Sequence, residues 1–568
     1  MPDVADKRTR LQDSLHGSPG PLGPFTAAIE AARETAERAA AALWRADPTA
    51  WSGDKATQQR IANRLGWMKS PQLMAESIDR LRAFADAVKR DGVTDVVLLG
   101  MGGSSLAPEV IRAVIGVAGG WPQFHMLDST DPAAVLAVNP APARTLYVVA
   151  SKSGGTIEPN SLAAHYRQQL IDAGVSNWAH HFVAITDEGT ELERRARNER
   201  FRDVFINPSD IGGRYSALSF FGLVPAALMG IDIAALVGWG LAMLEASAPA
   251  SGETATNPSV ALGLAIGAGA RIGRDKLTLV LPPKLEPFGL WVEQLIAEST
   301  GKNGVGVVPI AGEPLGAPSA YGDDRLFVHV RSDDRAIQAG RAPVIEIDWP
   351  EPAALGAEFV RWEIATAVAG AILGINPFDE PNVQQAKDAT RKLLDEYTRT
   401  GRLPQPADAH TLDSGITVTL SDAARQALKG RNAEALLTLL KRGDYVALLA
   451  YLGPDAALAR ELQTLRRSIR DRTRAATMFG YGPRYLHSTG QLHKGGPNTG
   501  VFIVITATPA RDVPIPGEAF SFATLELAQA LGDFASLGAT GRRALHAHLP
   551  SADPALIRQL GEALLQHG

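Results

Sequence analysis

Cysteine is absent from all 568 residues, which excludes disulfides, thiolate metal sites and a cysteine nucleophile. Positive charge is not in excess either. Lys and Arg number 56 against 61 Asp and Glu, a formal net charge of −5, so there is no electrostatic footprint for nucleic acid. No apolar run reaches the roughly 20 uninterrupted residues a membrane helix needs. The most apolar stretch, GLVPAALMGIDIAALVGWGLAML (222–244), is broken by Pro, Gly and Asp and reads as buried helices. The first thirty residues hold no apolar core of signal-peptide length, so a cytoplasmic protein is expected. No HExxH-like cluster offers a metal site.

What is present is enough apolar side chain, 45% of residues, for more than one core, and a length that calls for two or more domains. Residues 25–45 and 74–90 show helical spacing. Short β-rich runs follow, VTDVVLLG (93–100), TLYVVAS (145–151) and HFVAITD (181–187), each leading into a Gly/Ser/Thr loop and a helical segment. The alternation resumes at KLTLVLPP (276–283), GVGVVPI (304–310), RLFVHV (325–330) and PVIEIDW (343–349), with helical residues at 214–272 between. This is the pattern of an α/β fold, parallel sheets covered by helices on both faces. The expected division is a helical N-terminal segment (1–60), α/β domains at 61–248 and 249–400, and a C-terminal extension (401–568) entered through a Pro-rich linker at 400–415. In the extension, helical segments are expected at 421–475, a Gly-rich loop at 480–500, a strand at 501–508 and terminal helices.

Two loops at successive strand ends suit an anion. GMGGSSLAP (100–108) brings Gly102 and Gly103, whose backbone N–H groups approach closely, with Ser104 and Ser105 at a helix start. SKSGGTIEP (151–159) offers hydroxyls from Ser151, Ser153 and Thr156 and a charge from Lys152. A phosphate monoester, which wants several neutral donors and a positive helix end, fits this set. A nicotinamide dinucleotide fits less well: the spacing is GxGG rather than GxGxxG, and the acidic residue expected about 20 positions on, at the end of a second strand, is not read there.

These loops resemble the sugar-phosphate loops of sugar-isomerase (SIS) domains, and their order resembles the glucose-6-phosphate isomerase family. DIGGRYSALS (210–219) is similar to that family's GGR-[FY]-S signature, EQLIAESTGKNGVGVVP (293–309) to its ES-x-GK segment, and NPFDEPNVQQAK (376–387) to its FDQ-x-GVE-xx-K motif. The resemblance implies two SIS-type three-layer sandwiches, a homodimer, and no cofactor or metal. Two departures stand out. The family's histidine segment is missing after ES-x-GK, and a similar string, LHSTGQLHKGG (486–496), lies far downstream. The C-terminal stretch also looks like the isomerase half of bifunctional transaldolase–isomerases, without a transaldolase half, so a separate transaldolase partner is conceivable. The expectation is that the C-terminal region folds back and returns the histidine loop to the site.

Moving a carbonyl between C1 and C2 needs a base to shuttle a proton, a cation or donors for the cis-enediolate, and an acid and a base to open a cyclic substrate. By resemblance Glu298 is the shuttling base, with Glu313 in AGEPLG as the alternate, because vertebrate-type isomerases carry a similar string near their base. Arg214 is the cation for the enediolate, while Lys387 and His487 are the ring-opening pair, with His493 and Lys494 as rivals on the same loop. Glu158 is a supporting residue for the base. The expected substrates are glucose 6-phosphate and fructose 6-phosphate. The alternatives are mannose 6-phosphate, a 6-sulfo sugar, or a noncatalytic sugar-phosphate sensor.

Overall fold

The computed structural model describes residues 4–17, 23–249, 257–332, 336–404 and 408–566. The expected boundary at 248/249 adjoins residues 250–256, and the expected linker includes 405–407; both stretches lie outside the described residues. Within the described residues the strands gather into three sheets.

Strand β1 (Leu15–Gly17) joins a sheet completed much later in the chain, so the N-terminal segment expected to be helical also supplies an edge strand. The next five strands form a sheet of their own: β2 (Asp95–Gly100), β3 (Gln123–Leu127), β4 (Thr145–Ala150), β5 (Phe182–Asp187) and β6 (Asp203–Asn207). Their order is β3-β2-β4-β5-β6, parallel throughout. Strand β2 connects to β3 on one side, while the chain then crosses to β4 on the other. The crevice at the carboxyl ends of β2 and β4 is therefore the switch point where open α/β sheets hold ligands. Both anion loops leave from it. The interior of β2 and all of β4 are buried, which explains runs of Val and Leu without polar alternation.

The second sheet comprises β7 (Lys276–Val280), β8 (Val308–Ile310), β9 (Arg325–Arg331) and β10 (Val344–Asp348), in order β1-β10-β9-β7-β8. Only β1 runs antiparallel to its neighbour. Helix Phe288–Thr300, which links β7 to β8, is almost wholly buried, its polar residues Glu293, Gln294, Ser299 and Thr300 included.

The C-terminal extension holds more strand than expected. It contains β11 (His410–Thr411), β12 (Thr417–Leu420), β13 (Tyr445–Tyr451), β14 (Ala476–Tyr481), β15 (Gly500–Ala507) and β16 (Arg543–Leu549), ordered β11-β12-β16-β15-β13-β14. The last four strands of that order run parallel. The stretch read as helical at 421–475 thus contains a central strand. Its sequence, YVALLAY, is buried at every position, and a short apolar run buried on both faces carries no period to tell strand from helix.

The helices of the first two sheets share one large apolar cluster, including Val224, Trp239, Ile266, Trp291, Phe359 and Trp362. Two further clusters dock the third sheet. Ala297, Val308 and Ile310 pack with Tyr445, Met478, Leu492 and Phe502, while Val149 and Leu162 pack with Phe522 and Leu525. At about 1.5–3 kcal/mol for each large side chain fully buried, these seams fix the third sheet against both others. Among the described residues no helix is long and apolar enough to cross a membrane.

Candidate active site

The loop after β2 turns tightly at Gly102–Ser104 before helix Leu106–Ile115. Gly102 sits at φ +54°, and a Cβ there would lie 2.6 Å from the His487 carbonyl oxygen. A Cβ on Gly103 would collide with the Gly213 carbonyl. Three distant segments, the first loop, the GGRYS turn and the histidine turn, thus meet backbone to backbone where only glycine fits. Ser104 is buried here, and Ser105 donates to the Gly102 carbonyl at 3.2 Å.

The loop after β4 draws its hydroxyls together. Ser151 Oγ lies 3.0 Å from Thr156 Oγ1, and Ser153 Oγ lies 3.5 Å from the same atom. Thr156 stands at the N-cap of helix Ile157–Asp172 but its side chain does not cap it, leaving the positive helix end for an anion. Lys152 behaves differently from expectation. Its ammonium is taken up by Asp187 and by the Ser209 carbonyl, so it ties the loop to the ends of β5 and β6.

Helix Phe288–Thr300 carries Gln294 and Glu298 one turn apart on one face. Glu298 Oε1 is 3.3 Å from an Arg214 guanidinium nitrogen, and its Oε2 accepts from Gln294 Nε2 at 3.2 Å. Burial raises the carboxyl above its ordinary value, Glu380 adds to the rise, and Arg214, Gln294 and Lys302 oppose it. Lys302 does not pair with Glu298; its ammonium bonds Asp379 at 2.8 Å.

Arg214, fully buried, donates to Ser299 Oγ at 2.7 Å, Glu380 at 3.0 Å and the carbonyls of Pro377 and Asp379 at 2.8 and 3.0 Å. It therefore clamps the FDEP turn while facing Glu298. Burial works against its charge, but Glu298 and Glu380 outweigh that and hold its pKa above the usual value.

His487 comes from the C-terminal extension with its third sheet, the third unit of the chain, on a turn at Arg484–His487. Its Nε2 lies 2.8 Å from Glu158 Oε1, and its carbonyl accepts from Gln294 Nε2 at 2.8 Å. Glu158 Oε1 also accepts from Gln529 Nε2 at 2.6 Å, and Gln529 Oε1 accepts from Thr130 at 2.8 Å. Burial alone would raise Glu158, yet the facing His487, and Lys387 beyond it, hold it below its ordinary value. Lys387 is exposed and lines the same cleft as Thr156, Glu158, His487 and Gln529.

The rival readings have other occupations. Glu313 pairs with Arg325 at 2.9 Å and accepts from Thr477 N–H and Oγ1 at 2.8 and 2.7 Å. Burial would raise it, but Arg325, Arg466 and Thr477 hold it below its usual value. It lines a separate cleft of about 700 Å³ with Glu293 and Arg466. A carboxylate already engaged by an arginine and two donors is less suited to shuttling a proton than Glu298 is. His493 is buried against Phe502 and Tyr485, with neither ring nitrogen bonded among the described residues, and burial drives its pKa far down. Lys494 is paired with buried Asp533.

Gln294, Glu380 and Gln529 were not among the expected residues. Gln294 was within reach of the sequence, since it precedes Glu298 by one helical turn. Nothing local marks Gln529.

A family model described as phosphoglucose isomerase matches residues 68–308. A glucose-6-phosphate isomerase of Rubrobacter xylanophilus is 30% identical over 397 residues, covering 59% of this chain and 89% of that protein. The chain belongs to the glucose-6-phosphate isomerase family. A family member from Prochlorococcus marinus is 27% identical over 403 residues, 61% of this chain and 74% of its own. The crystal structure of a glucose-6-phosphate isomerase from Chlamydia trachomatis superposes with a TM-score of 0.51 at 20% identity, covering 65% of this chain and 86% of that one, a likeness of fold.

Proposed function

We propose that this isomerase-family chain interconverts glucose 6-phosphate and fructose 6-phosphate through a cis-enediolate, with Glu298 as the proton shuttle. The observation that carries the reading is the connected set around Glu298: a buried carboxylate of raised pKa facing Arg214 and joined through Gln294 to the His487–Glu158 pair. A carboxylate lifted toward neutrality is matched to removing and returning a carbon-bound proton. The guanidinium beside it supplies a fixed positive charge where the enediolate forms.

The phosphate is held by the hydroxyls of Ser151, Ser153 and Thr156 and the open helix end, with Ser104 and the Gly102–Gly103 backbone alongside. Lys152 serves by fixing the loop. Ring opening falls to His487 and Lys387. Glu158, held ionised, can only accept, so His487 Nε2 carries the hydrogen and Nδ1 is left to exchange a proton with the sugar. The homodimer and a transaldolase partner follow from the resemblance and the cytoplasmic location from the sequence pattern, and light scattering on the purified chain tests the first.

The test is conversion of fructose 6-phosphate to glucose 6-phosphate by wild type, Glu298→Gln and Glu313→Gln, with mannose 6-phosphate run in parallel. Loss of the base is expected to cost about 10²–10⁴ in kcat, and the acid limb of the wild-type pH profile to lie above the ordinary carboxylate range. Full activity in Glu298→Gln would sink the assignment of the base. An inactive wild type would sink the reaction.

A further inference from the structure

The third sheet has a switch point of its own. Strand β13 connects to β14 on one side, while β15 leads to β16 on the other, so a crevice opens at the carboxyl ends of β13 and β15, where such sheets hold ligands. A cavity of about 470 Å³ lies beside it, over the carboxyl-terminal parts of β15 and β16 and the facing β12, with Tyr451 its one lining residue from β13 among the described residues; its size is within the range of small-molecule sites. We propose that it is a second ligand site, separate from the isomerase centre, for an uncharged hydroxyl-bearing molecule of monosaccharide size.

The polar lining is a set of neutral donors and acceptors. Thr506 Oγ1 lies between His546 Nε2 at 2.8 Å and His548 Nδ1 at 2.9 Å, and Thr508 Oγ1 is 3.2 Å from His548 Nε2. Burial lowers both imidazoles, His546 to about 3, so neither is charged at neutral pH. Glu526, on helix Phe522–Ala539, is only 7% exposed. Its Oε1 is buried without a hydrogen-bond partner among the described residues. Burial, with Asp131 nearby, pushes this carboxyl well above its ordinary value, so it stands protonated and can both donate and accept. A small shift of the side chain toward a ligand hydroxyl would give this group the bond it lacks.

The same crevice is poorly made for a phosphate. Phosphate sites at switch points use a glycine loop and an open helix end. Here the first N–H groups of helix Phe522–Ala539 are already spent: Phe522 on the Val513 carbonyl at 2.9 Å, Ala523 on Asp512 Oδ1 at 3.0 Å and Thr524 on Ser521 Oγ at 3.2 Å. The loop leaving β15 opens with Thr508-Pro509-Ala510, and its glycine, Gly517, comes well away from the strand end. Arg402, the cation lining the cavity among the described residues, is exposed. Leu527, Leu531 and Ala507 offer apolar surface for the carbon face of a ring.

The test is isothermal titration and saturation-transfer NMR of the full chain with D-glucose and D-ribose, with and without inorganic phosphate to fill the isomerase loops. Wild type, Glu526→Leu and Thr508→Val are compared, with fructose 6-phosphate conversion as the check that each variant is folded. Saturable binding of either sugar, indifferent to phosphate and weakened about tenfold by each variant, with conversion unchanged, is the expected result. No saturable binding, binding abolished by phosphate, or binding unaltered in Thr508→Val would overturn the proposal. Tighter Thr508-dependent binding of ribose 5-phosphate than of ribose would overturn the uncharged-ligand assignment. Thr508 is exposed, so its variant carries the test if Glu526→Leu does not fold.

Discussion

Replacing Glu158 by Gln separates ring opening from isomerisation. One carboxylate oxygen, Oε1, accepts both from His487 at 2.8 Å and from Gln529 at 2.6 Å. An amide oxygen can take that position and keep both bonds, so the substitution removes the charge and little else. Hydrogen bonds to an ionised group contribute about 1.5–3 kcal/mol, against about 0.5–1.5 for neutral ones. The difference, about 1–1.5 kcal/mol, corresponds to about tenfold in rate. It falls on the step that needs a charged imidazole, opening of the cyclic sugar. Ring opening and reclosure interconvert the anomers of glucose 6-phosphate, which NMR exchange measures directly. Isomerisation is followed by exchange of the C2 proton with solvent. Glu158→Gln is expected to slow enzyme-catalysed anomerisation about tenfold, whereas Glu298→Gln keeps anomerisation and loses C2 exchange. The reasoning is refuted if Glu158→Gln leaves anomerisation untouched while slowing conversion, because the Glu158–His487 pair would then serve the proton shuttle.

Two other perturbations read separate parts of the molecule. Arg214→Met removes the cation facing Glu298 and unclamps the Pro377–Asp379 carbonyls; kcat is expected to fall about 10²–10³, with a loss of thermal stability that Arg214→Lys only partly restores. Buried Glu293 is pushed up to about 8 from an unfolded value near 4.5, so between those values the folded chain holds a proton that the unfolded chain has released. Stability therefore falls as pH rises through that window, by about 1.4 kcal/mol per unit from this group, and urea melts of Glu293→Gln should show that much less pH dependence.

The parts legible in the sequence are those whose chemistry is contiguous. The anion loops declare themselves because strand, glycines, hydroxyls and helix start follow within a dozen residues, and they do leave adjacent strands at a switch point. Glu298 and Arg214 were readable by resemblance, and their mutual approach was not. Lys152 misleads because a lysine in an anion loop looks like a ligand until its partner, Asp187 at the end of β5, is known. Strands β3 (QFHML) and β6 (DVFIN) escaped notice, being short and weakly patterned. Gln529 could not be found locally at all: its role is set by the docking of a helix from the third unit against Glu158.

That docking makes the third unit part of the site, and Leu492 tests how rigidly. Leu492 lies five residues beyond His487 in the short helix Gly490–Gly495, is 1% exposed, and belongs to the cluster holding Ala297 from the Glu298 helix. A Cβ on Gly301, at the end of that helix, would strike Leu492 itself, so the two backbones are in near contact. Leu492→Ala opens a cavity at this seam at a cost of about 2–5 kcal/mol. If the seam only adds stability, the folded fraction below the lowered melting temperature keeps wild-type kcat. The structure argues otherwise. The His487 carbonyl is tied to Gln294, and Gln294 in turn to Glu298, so slack at Leu492 shifts the ring-opening group relative to the proton shuttle. Misplacement on the scale of an ångström costs about a hundredfold. A fall in kcat, measured well below the melting transition and with KM little changed, is therefore expected, and unchanged kcat there would show that the histidine turn is held by its own sheet alone.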